Sequence, residues 1–128
     1  MATAGAGNNE LHGGAGNDLL FSGAGNDLLD GGAGIDTVSY AHATSGVTVD
    51  LGLLTAQNTG GAGTDTLTGL ENLTGSNFND SLMGDNNSNI ITGGLGNDVL
   101  NGGGGDDFLI GGLGNNTLTG GAGADTFQ

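Results

Sequence analysis

Large apolar residues recur at every ninth position along most of this 128-residue chain. Each one follows a glycine-rich segment, and the full unit reads G-G-x-G-x-D-x-U-x, where U is the large apolar residue. The unit is clear at residues 13–21 and returns directly at 22–30 and 31–39. Side chains alternate between the two faces of an extended segment, so U and its neighbours point in opposite directions. The pattern predicts short strands separated by tight turns.

Eleven such units can be placed along the chain, and we interpret residues 4–128 as one domain built from them. In chain order the domain consists of a repeat block at 4–39, an irregular insert at 40–59, a single repeat at 60–68, a spacer at 69–74 and a second repeat block at 75–128.

The insert at 40–59 breaks the nine-residue period but keeps a strand pattern. Val47, Val49 and Leu51 alternate with Thr48 and Asp50, which is typical of a half-buried strand. Twenty residues correspond to about two repeat units, so the insert can continue the same structure with different turns. A loop that bulges away from the repeats is the alternative.

One apolar residue in nine is too few for a single unit to bury its own core. Two successive units form a coil of 18 residues with a strand on each side, and stacked coils place the U residues in two facing ladders. Ordering a residue costs about 1–2 kcal/mol of backbone entropy, whereas a buried Leu returns about 1.5–3 kcal/mol. Such a thin core therefore needs a further source of stability.

The charge of the chain indicates what that source is. There are 14 acidic residues and no Lys, Arg or Cys. Internal ion pairs with basic side chains, disulfides and thiolate metal sites are therefore excluded, and the balancing charge must come from outside. Nucleic acid and anionic membrane surfaces are poor partners because nothing here neutralises phosphate. We predict no nucleic-acid binding and no membrane insertion, since no stretch approaches the roughly 20 apolar residues of a membrane span.

The acidic residues are concentrated at the sixth position of the unit. Ca²⁺ takes 6–8 oxygen ligands at about 2.3–2.6 Å, and adjacent strands lie about 4.7–4.9 Å apart, so sixth-position side chains of successive coils can share one ion. Asp also favours turns without any ion, but eight in phase favour a metal column. Zn²⁺ and Mg²⁺ suit this oxygen-rich pattern less well. The column comprises Asp18, Asp27, Asp36, Asp65, Asp80, Asp98, Asp107 and Asp125, with Asn9, Asn89 and Asn116 in the remaining units.

Residues 18 apart in this column form six candidate sites. Three have two carboxylates, namely Asp18/Asp36, Asp80/Asp98 and Asp107/Asp125, and three have one Asn, namely Asn9/Asp27, Asn89/Asp107 and Asp98/Asn116. We expect weaker binding where Asn replaces Asp. Asp65 has no partner at this spacing because Val47 and Met83 occupy those positions. The other carboxylates are predicted to be surface residues: Glu10, Asp30, Asp50, Glu71, Asp85 and Asp106.

These repeats resemble the RTX family, the calcium-binding β-roll repeats of bacterial proteins exported by type I secretion. The resemblance implies an all-β fold, a right-handed parallel β-roll (a β-helix or solenoid) of stacked 18-residue coils with Ca²⁺ in the turns. It also implies that carbonyls of positions 2 and 4 in the earlier turn, and of positions 1 and 3 in the later turn, bind each ion. Carried over to this chain, those residues are Gly14, Gly16, Gly31 and Ala33; Gly5, Gly7, Ser22 and Ala24; Ser76, Phe78, Gly93 and Leu95; Gly94, Gly96, Gly111 and Leu113; Gly102 and Gly104; and Gly103, Gly105, Gly120 and Ala122.

By the same resemblance we expect a non-enzymatic, extracellular module that folds on binding about four to eight Ca²⁺ ions and belongs to a type I-secreted bacterial protein. We also expect an uncapped edge after Phe127 through which copies can self-associate. The alternative is a surface-recognition solenoid, an adhesin or ice-binding protein with structural calcium. That function requires a regular row of Thr or Asx, whereas Thr recurs here only patchily, at Thr68, Thr92 and Thr119.

Overall fold

The computed structural model describes residues 1–128, and it contains fifteen β-strands and no helix. Most strands are three or six residues long. Each six-residue strand runs from the x-U-x segment into the following glycine turn, except Gly63–Thr68, which begins in the glycine turn and ends with x-U-x. In chain order the strands are β1 (Ala2–Thr3), β2 (Glu10–Ala15), β3 (Leu19–Phe21), β4 (Leu28–Ala33), β5 (Thr37–Ser39), β6 (Thr48–Asp50), β7 (Gln57–Gly60), β8 (Gly63–Thr68), β9 (Asn72–Thr74), β10 (Ser81–Met83), β11 (Ile90–Leu95), β12 (Val99–Gly104), β13 (Phe108–Leu113), β14 (Thr117–Ala122) and β15 (Thr126–Phe127).

The strands form two faces of a solenoid with about seven turns. One face is a seven-stranded parallel sheet in the order β1-β3-β5-β9-β11-β13-β15. The other face consists of two four-stranded sheets, β2-β4-β8-β7 and β14-β12-β10-β6. Successive repeats therefore alternate between the faces, and coils stack 18 residues apart wherever the repeat is regular. The predicted all-β parallel roll is confirmed.

The U residues form the two predicted ladders. In the seven-stranded sheet, Leu20 pairs with Val38, Val38 with Leu73, and Leu73 with Ile91. On the opposite face Leu82 pairs with both Val49 and Leu100. These side chains belong to one core cluster of 15 buried residues. Within the repeat blocks the period of nine places them correctly because it equals one turn plus one strand. Leu73 and Val49 join the ladders from outside the period, from the predicted spacer and insert.

The predicted spacer, residues 69–74, contributes a strand. Residues 72–74 form β9 between β5 and β11, and Leu73 is fully buried between Val38 and Ile91. The segment Glu71-Asn-Leu-Thr74 therefore corresponds to positions 6–9 of a shortened repeat whose glycine turn is reduced. Leu70 adds a second buried apolar side chain.

The insert joins the stack through β6 and then turns back. Val49 lies opposite Leu82 in parallel register, and Val47, Val49 and Leu51 are buried, so the strand prediction is confirmed and a loop that bulges away is wrong for this stretch. The following strand, β7, runs antiparallel to β8. A single antiparallel bridge between Val47 and Gly60 connects the two four-stranded sheets at this point.

Candidate metal centre

The sixth-position side chains stack along both edges of the roll, where the turns connect the two faces. In every predicted pair, one side-chain oxygen of the later residue accepts a hydrogen bond from the backbone N–H of the earlier residue. The donor–acceptor distances are 2.9 Å for Asn9/Asp27, 2.7 Å for Asp18/Asp36, 2.9 Å for Asp80/Asp98, 2.8 Å for Asn89/Asp107, 2.8 Å for Asp98/Asn116 and 3.0 Å for Asp107/Asp125. The structure thus brings all six pairs together.

The stacks form two columns, one along each edge. The first column contains Asp18, Asp36, Glu71, Asn89, Asp107 and Asp125. The second column consists of Asn9, Asp27 and Asp65 and, beyond the insert, Val47, Asp80, Asp98 and Asn116. The first column runs the length of the roll, whereas the insert divides the second.

The second carboxylate oxygen is the unusual feature of these columns. Oδ2 of Asp18, Asp36, Asp98 and Asp107 is buried and accepts no hydrogen bond. An unpartnered buried polar atom costs about 1–3 kcal/mol, and more when it is charged. Consistent with this, burial raises the pKa values of the Asp98 and Asp107 carboxyl groups. These atoms require a proton or a cation.

Each unpartnered oxygen faces a backbone carbonyl of the next turn. A methyl group placed on Gly13 would lie 2.9 Å from Asp18 Oδ2 and would collide with the Gly31 carbonyl oxygen. The two oxygens therefore converge on one point between the turns. The same convergence occurs at Gly93 for Asp98 Oδ2 with the Gly111 carbonyl, and at Gly102 for Asp107 Oδ2 with the Gly120 carbonyl.

Carbonyls of the earlier turn approach the same space from the other side. A Cβ on Gly32 would collide with the Gly14 carbonyl oxygen, and one on Gly34 with that of Gly16. Both later glycines have positive φ, 95° and 138°, a conformation that side chains disfavour. The carbonyls of positions 2 and 4 thus face the following turn, as the resemblance implies for ligands, and only glycine leaves them free.

One corner of the second column is closed by protein hydroxyl groups instead. Asp65 Oδ2 accepts hydrogen bonds from Tyr40 Oη and Ser22 Oγ, both at 3.0 Å, while its Oδ1 accepts the Asp27 N–H at 2.9 Å. Asp65 therefore does have a stacking partner, Asp27, although 38 residues separate them. Burial raises the pKa of Asp65, and it raises the pKa of Tyr40 well above its usual range. With its oxygens occupied, Asp65 is a poorer cation ligand than the unpartnered carboxylates.

Two further sixth-position side chains are also satisfied by their own turns. Asp80 accepts hydrogen bonds from the Ser76 backbone N–H at 2.7 Å and from Ser76 Oγ at 2.6 Å. Asn89 Oδ1 accepts the Asp85 N–H at 2.9 Å. In both turns a residue larger than glycine, Ser76 or Asp85, follows the first glycine, and its backbone N–H donates to the sixth-position side chain. These two positions lack the open acceptor that Asp18, Asp36, Asp98 and Asp107 retain.

Glu71 was predicted to be a surface residue, and this prediction is wrong. Its side chain is half-buried in the first column, where Oε2 accepts the Asp36 N–H at 2.8 Å. The longer Glu side chain takes the place of a sixth-position Asp in the shortened repeat. The signal in the sequence is the spacing Glu71-x-Leu73-x, which matches D-x-U-x with Glu in place of Asp.

The remaining ionisable groups form no competing site. His12 contacts Glu10 at 2.7 Å and Asp30 at 3.4 Å on the surface, and these hydrogen bonds raise its pKa. No group of three or more His, Cys, Asp or Glu side chains is arranged to hold a metal ion. A cation between the turns would therefore depend on two side chains and several carbonyls. This all-oxygen donor set suits Ca²⁺ and lacks the N and S ligands of Zn²⁺.

Comparison with known proteins identifies this arrangement. The family profile of the RTX calcium-binding nonapeptide repeat matches the chain in four copies, at residues 3–38, 59–72, 74–109 and 101–128. The chain belongs to the RTX calcium-binding repeat family. The matched RTX segments include the shortened repeat as far as Asn72 and omit residues 39–58, which form nearly all of the insert. A search of curated proteins finds no match, and the RTX chain has no helix that is long and apolar enough to cross a membrane.

Proposed function

We propose that this RTX chain is a Ca²⁺-dependent folding module of an extracellular, type I-secreted bacterial protein. One observation carries the proposal: four buried carboxylate oxygens lack any protein donor. Three of them belong to the earlier residue of a predicted pair, and each of these three faces a carbonyl of the next turn. Calcium binding itself is the property of the repeat family. Our proposal adds that this chain folds when it binds Ca²⁺ and that its parent protein is exported.

The energetics support coupled folding. Without cations the roll concentrates a net charge of −14 and leaves buried anionic oxygens unpartnered, and both features disfavour the compact state. The apolar core is one side chain deep on each face, and the 31 glycines lose the most backbone entropy on ordering. Bound Ca²⁺ would supply the missing partner for each open oxygen and neutralise adjacent carboxylates. The unliganded RTX chain is then expected to be largely unfolded.

The predicted sites differ in how well they suit an ion. Asp18/Asp36, Asp98/Asn116 and Asp107/Asp125 have an open Oδ2 in the earlier turn, so we place ions there. For Asp80/Asp98 and Asn89/Asp107, hydrogen bonds within the earlier turn already occupy that acceptor, and we expect weaker binding. This ranking differs from the one expected from the number of carboxylates, because Asp98/Asn116 now ranks with the stronger sites and Asp80/Asp98 with the weaker ones. Asn9/Asp27 lacks a carboxylate in its earlier turn and ranks with the weaker sites. The number of ions stays a prediction.

Two further roles rest on the family. RTX repeats are typical of secreted bacterial proteins, which supports an extracellular location in which millimolar Ca²⁺ triggers folding after export. The β-solenoid is a structural calcium-binding fold, so we propose that it assists the folding of a larger protein and performs no catalysis. Strand β15 pairs with β13 on one side and Phe127 is exposed. Self-association at this edge stays a prediction.

The surface-recognition alternative finds less support. One outward row of the seven-stranded sheet consists of Leu19, Thr37, Asn72, Ile90, Phe108 and Thr126. Polar and large apolar side chains are mixed along it, so it does not form the regular Thr or Asx row that ice binding requires.

The proposal is tested by a calcium titration followed by far-UV circular dichroism, with a parallel titration in Mg²⁺ as the control. The purified chain is first stripped with a chelator. We expect a weak β signal in chelator, a cooperative gain with Ca²⁺ and little change with Mg²⁺, because Mg²⁺ requires rigid octahedral geometry. A complete β signal in chelator, unaltered by Ca²⁺, would show that folding and binding are not coupled.

A further inference from the structure

We propose an additional Ca²⁺ site between Asp36 and Glu71, where a shortened repeat replaces the sixth-position Asp by Glu. It rests on the proposed function, because it assumes that open carboxylate oxygens in these turns bind Ca²⁺. It goes beyond the 18-residue pairs, since 35 residues separate Asp36 from Glu71. The site would close the gap between the two repeat blocks along the first column.

The space between these two turns has the same signature as the regular sites. Asp36 is fully buried, and its Oδ2 accepts no hydrogen bond. A methyl group on Gly31 would lie 2.7 Å from this oxygen and would collide with the Gly69 carbonyl oxygen. The open carboxylate oxygen and the carbonyl of the next turn therefore converge on one point, as they do for Asp18 and the Gly31 carbonyl.

Glu71 occupies the position of the later carboxylate. Its Oε2 accepts the Asp36 N–H at 2.8 Å, the contact that Asp36 itself makes to the Asp18 N–H. The shortened turn begins at Gly69, which has φ of 59° and packs against the Gly32 carbonyl, 3.3 Å from a Cβ placed there. The longer Glu side chain compensates for the missing turn residues. Asp36, Glu71 and the carbonyls of Gly32 and Gly69 would provide an all-oxygen donor set.

The neighbouring corner shows that an unpartnered oxygen is not a general feature of the irregular region. At the same level of the roll, Asp65 is satisfied by the hydroxyls of Tyr40 and Ser22. No hydroxyl or amide reaches Asp36 Oδ2. The shortened repeat thus preserves an open acceptor on one edge of the roll while the insert closes the acceptor on the other edge.

The first test counts bound ions by native mass spectrometry in Ca²⁺ for wild type, Glu71→Gln and the matched control Glu10→Gln. Both substitutions remove one negative charge, but Glu10 is exposed and contacts only His12. We expect Glu71→Gln to bind one ion fewer than wild type and Glu10→Gln to bind the same number. Equal counts for the two variants would overturn the inference. A wild type that binds no Ca²⁺ would instead refute the proposed function.

The second test does not depend on the variant folding. Crystals of the wild-type chain grown with Ca²⁺, or soaked in Tb³⁺, are used for an anomalous difference map. We expect a peak between the Gly31–Asp36 turn and Gly69–Glu71, of height comparable with the peaks at Asp98/Asn116 and Asp107/Asp125. Peaks at the regular sites with none at Asp36/Glu71 would overturn the inference, whether or not Glu71→Gln folds.

Discussion

The hydroxyl-closed corner at Asp65 leads to a prediction about Tyr40→Phe. Tyr40 is fully buried, and its Oη donates a 3.0 Å hydrogen bond to Asp65 Oδ2. The substitution removes this donor alone and leaves the ring in the core. A hydrogen bond to a charged group contributes about 1.5–3 kcal/mol, and Ser22 Oγ remains as the second donor to the same oxygen. We therefore expect a loss of about 1.5–2 kcal/mol in the free energy of unfolding.

The pH dependence of this loss follows from the state of Asp65. Its pKa is raised chiefly by burial, and the hydrogen bonds from Asp27, Ser22 and Tyr40 oppose that rise. Removing the Tyr40 donor raises the folded-state pKa further. A group whose folded pKa is raised stabilises the fold below its unfolded pKa and loses that contribution as pH rises through the folded pKa. The penalty of Tyr40→Phe is therefore largest at pH 7.5 and smaller near pH 4.

The assay is thermal unfolding in the same excess of Ca²⁺ at both pH values, followed by circular dichroism. At about 4 °C per kcal/mol for a chain of this size, we expect Tm to fall by roughly 6–8 °C at pH 7.5 and by less at pH 4. Ser45→Ala is the control, because it deletes an exposed hydroxyl that makes no side-chain hydrogen bond. An unchanged Tm at pH 7.5, or an equal loss at both pH values, would refute this account of the corner.

Three further predictions follow from the same structure. In chelator, lowering the pH from 7.5 to about 4 should increase the β signal in circular dichroism. The reason is that Asp65, Asp98 and Asp107 have raised folded-state pKa values, so their protonation favours the fold. A constant signal would contradict this. Gly114→Ala should destabilise the chain by at least about 1 kcal/mol in denaturant unfolding. Gly114 has φ of 121°, and an added Cβ would collide with the Gly96 carbonyl. The control Gly5→Ala should change the free energy of unfolding little, because the space around Gly5 is open. Ile91→Ala should lower the free energy of unfolding by about 2–5 kcal/mol, because Ile91 is buried in the core. Ile90→Ala should change it by no more than about 0.5 kcal/mol, because Ile90 is exposed. Similar losses for the two variants in denaturant unfolding would contradict this assignment of the core.

The nine-residue period predicted most of the fold because it encodes both the strand and the turn. It located all six stacked pairs and the parts of the U ladders that lie within the repeat blocks, since each of these depends only on residues 18 apart. It failed where the spacing changed. Glu71 was missed because the shortened repeat keeps only Gly69 of its glycine turn. The Asp27/Asp65 pair was missed because the insert adds 20 residues between them. The Tyr40 hydroxyl bond was beyond prediction, since it depends on where the insert enters the core.

Buried carboxylates occur along both edges of the roll, but their oxygens have different partners on the two edges. Asp36, Asp98 and Asp107 each accept a backbone N–H of the preceding coil through Oδ1 and leave Oδ2 open towards the next turn. Each of these side chains therefore takes part in two successive inter-turn spaces. The first column is continuous across the shortened repeat, because Glu71 Oε2 accepts the Asp36 N–H and Asn89 Nδ2 donates to the Glu71 carbonyl at 2.6 Å. The second column is interrupted at the insert, where Val47 takes the place of a carboxylate below Asp80.

We propose that this asymmetry affects how the chain becomes ordered when Ca²⁺ binds. An ion between Asp18 and Asp36 would fix the turn that also forms the proposed Asp36/Glu71 site. Ordering would then extend from the first repeat block to the shortened repeat, which Asn89 joins through its hydrogen bond to the Glu71 carbonyl. At the interrupted edge, hydrogen bonds to Asp65 and the apolar packing of Val47 and Val49 hold the blocks together without an ion. In this proposal, a cation column on one edge and a hydrogen-bonded joint on the other allow an irregular insert to interrupt an RTX roll without dividing it into two independently folding pieces.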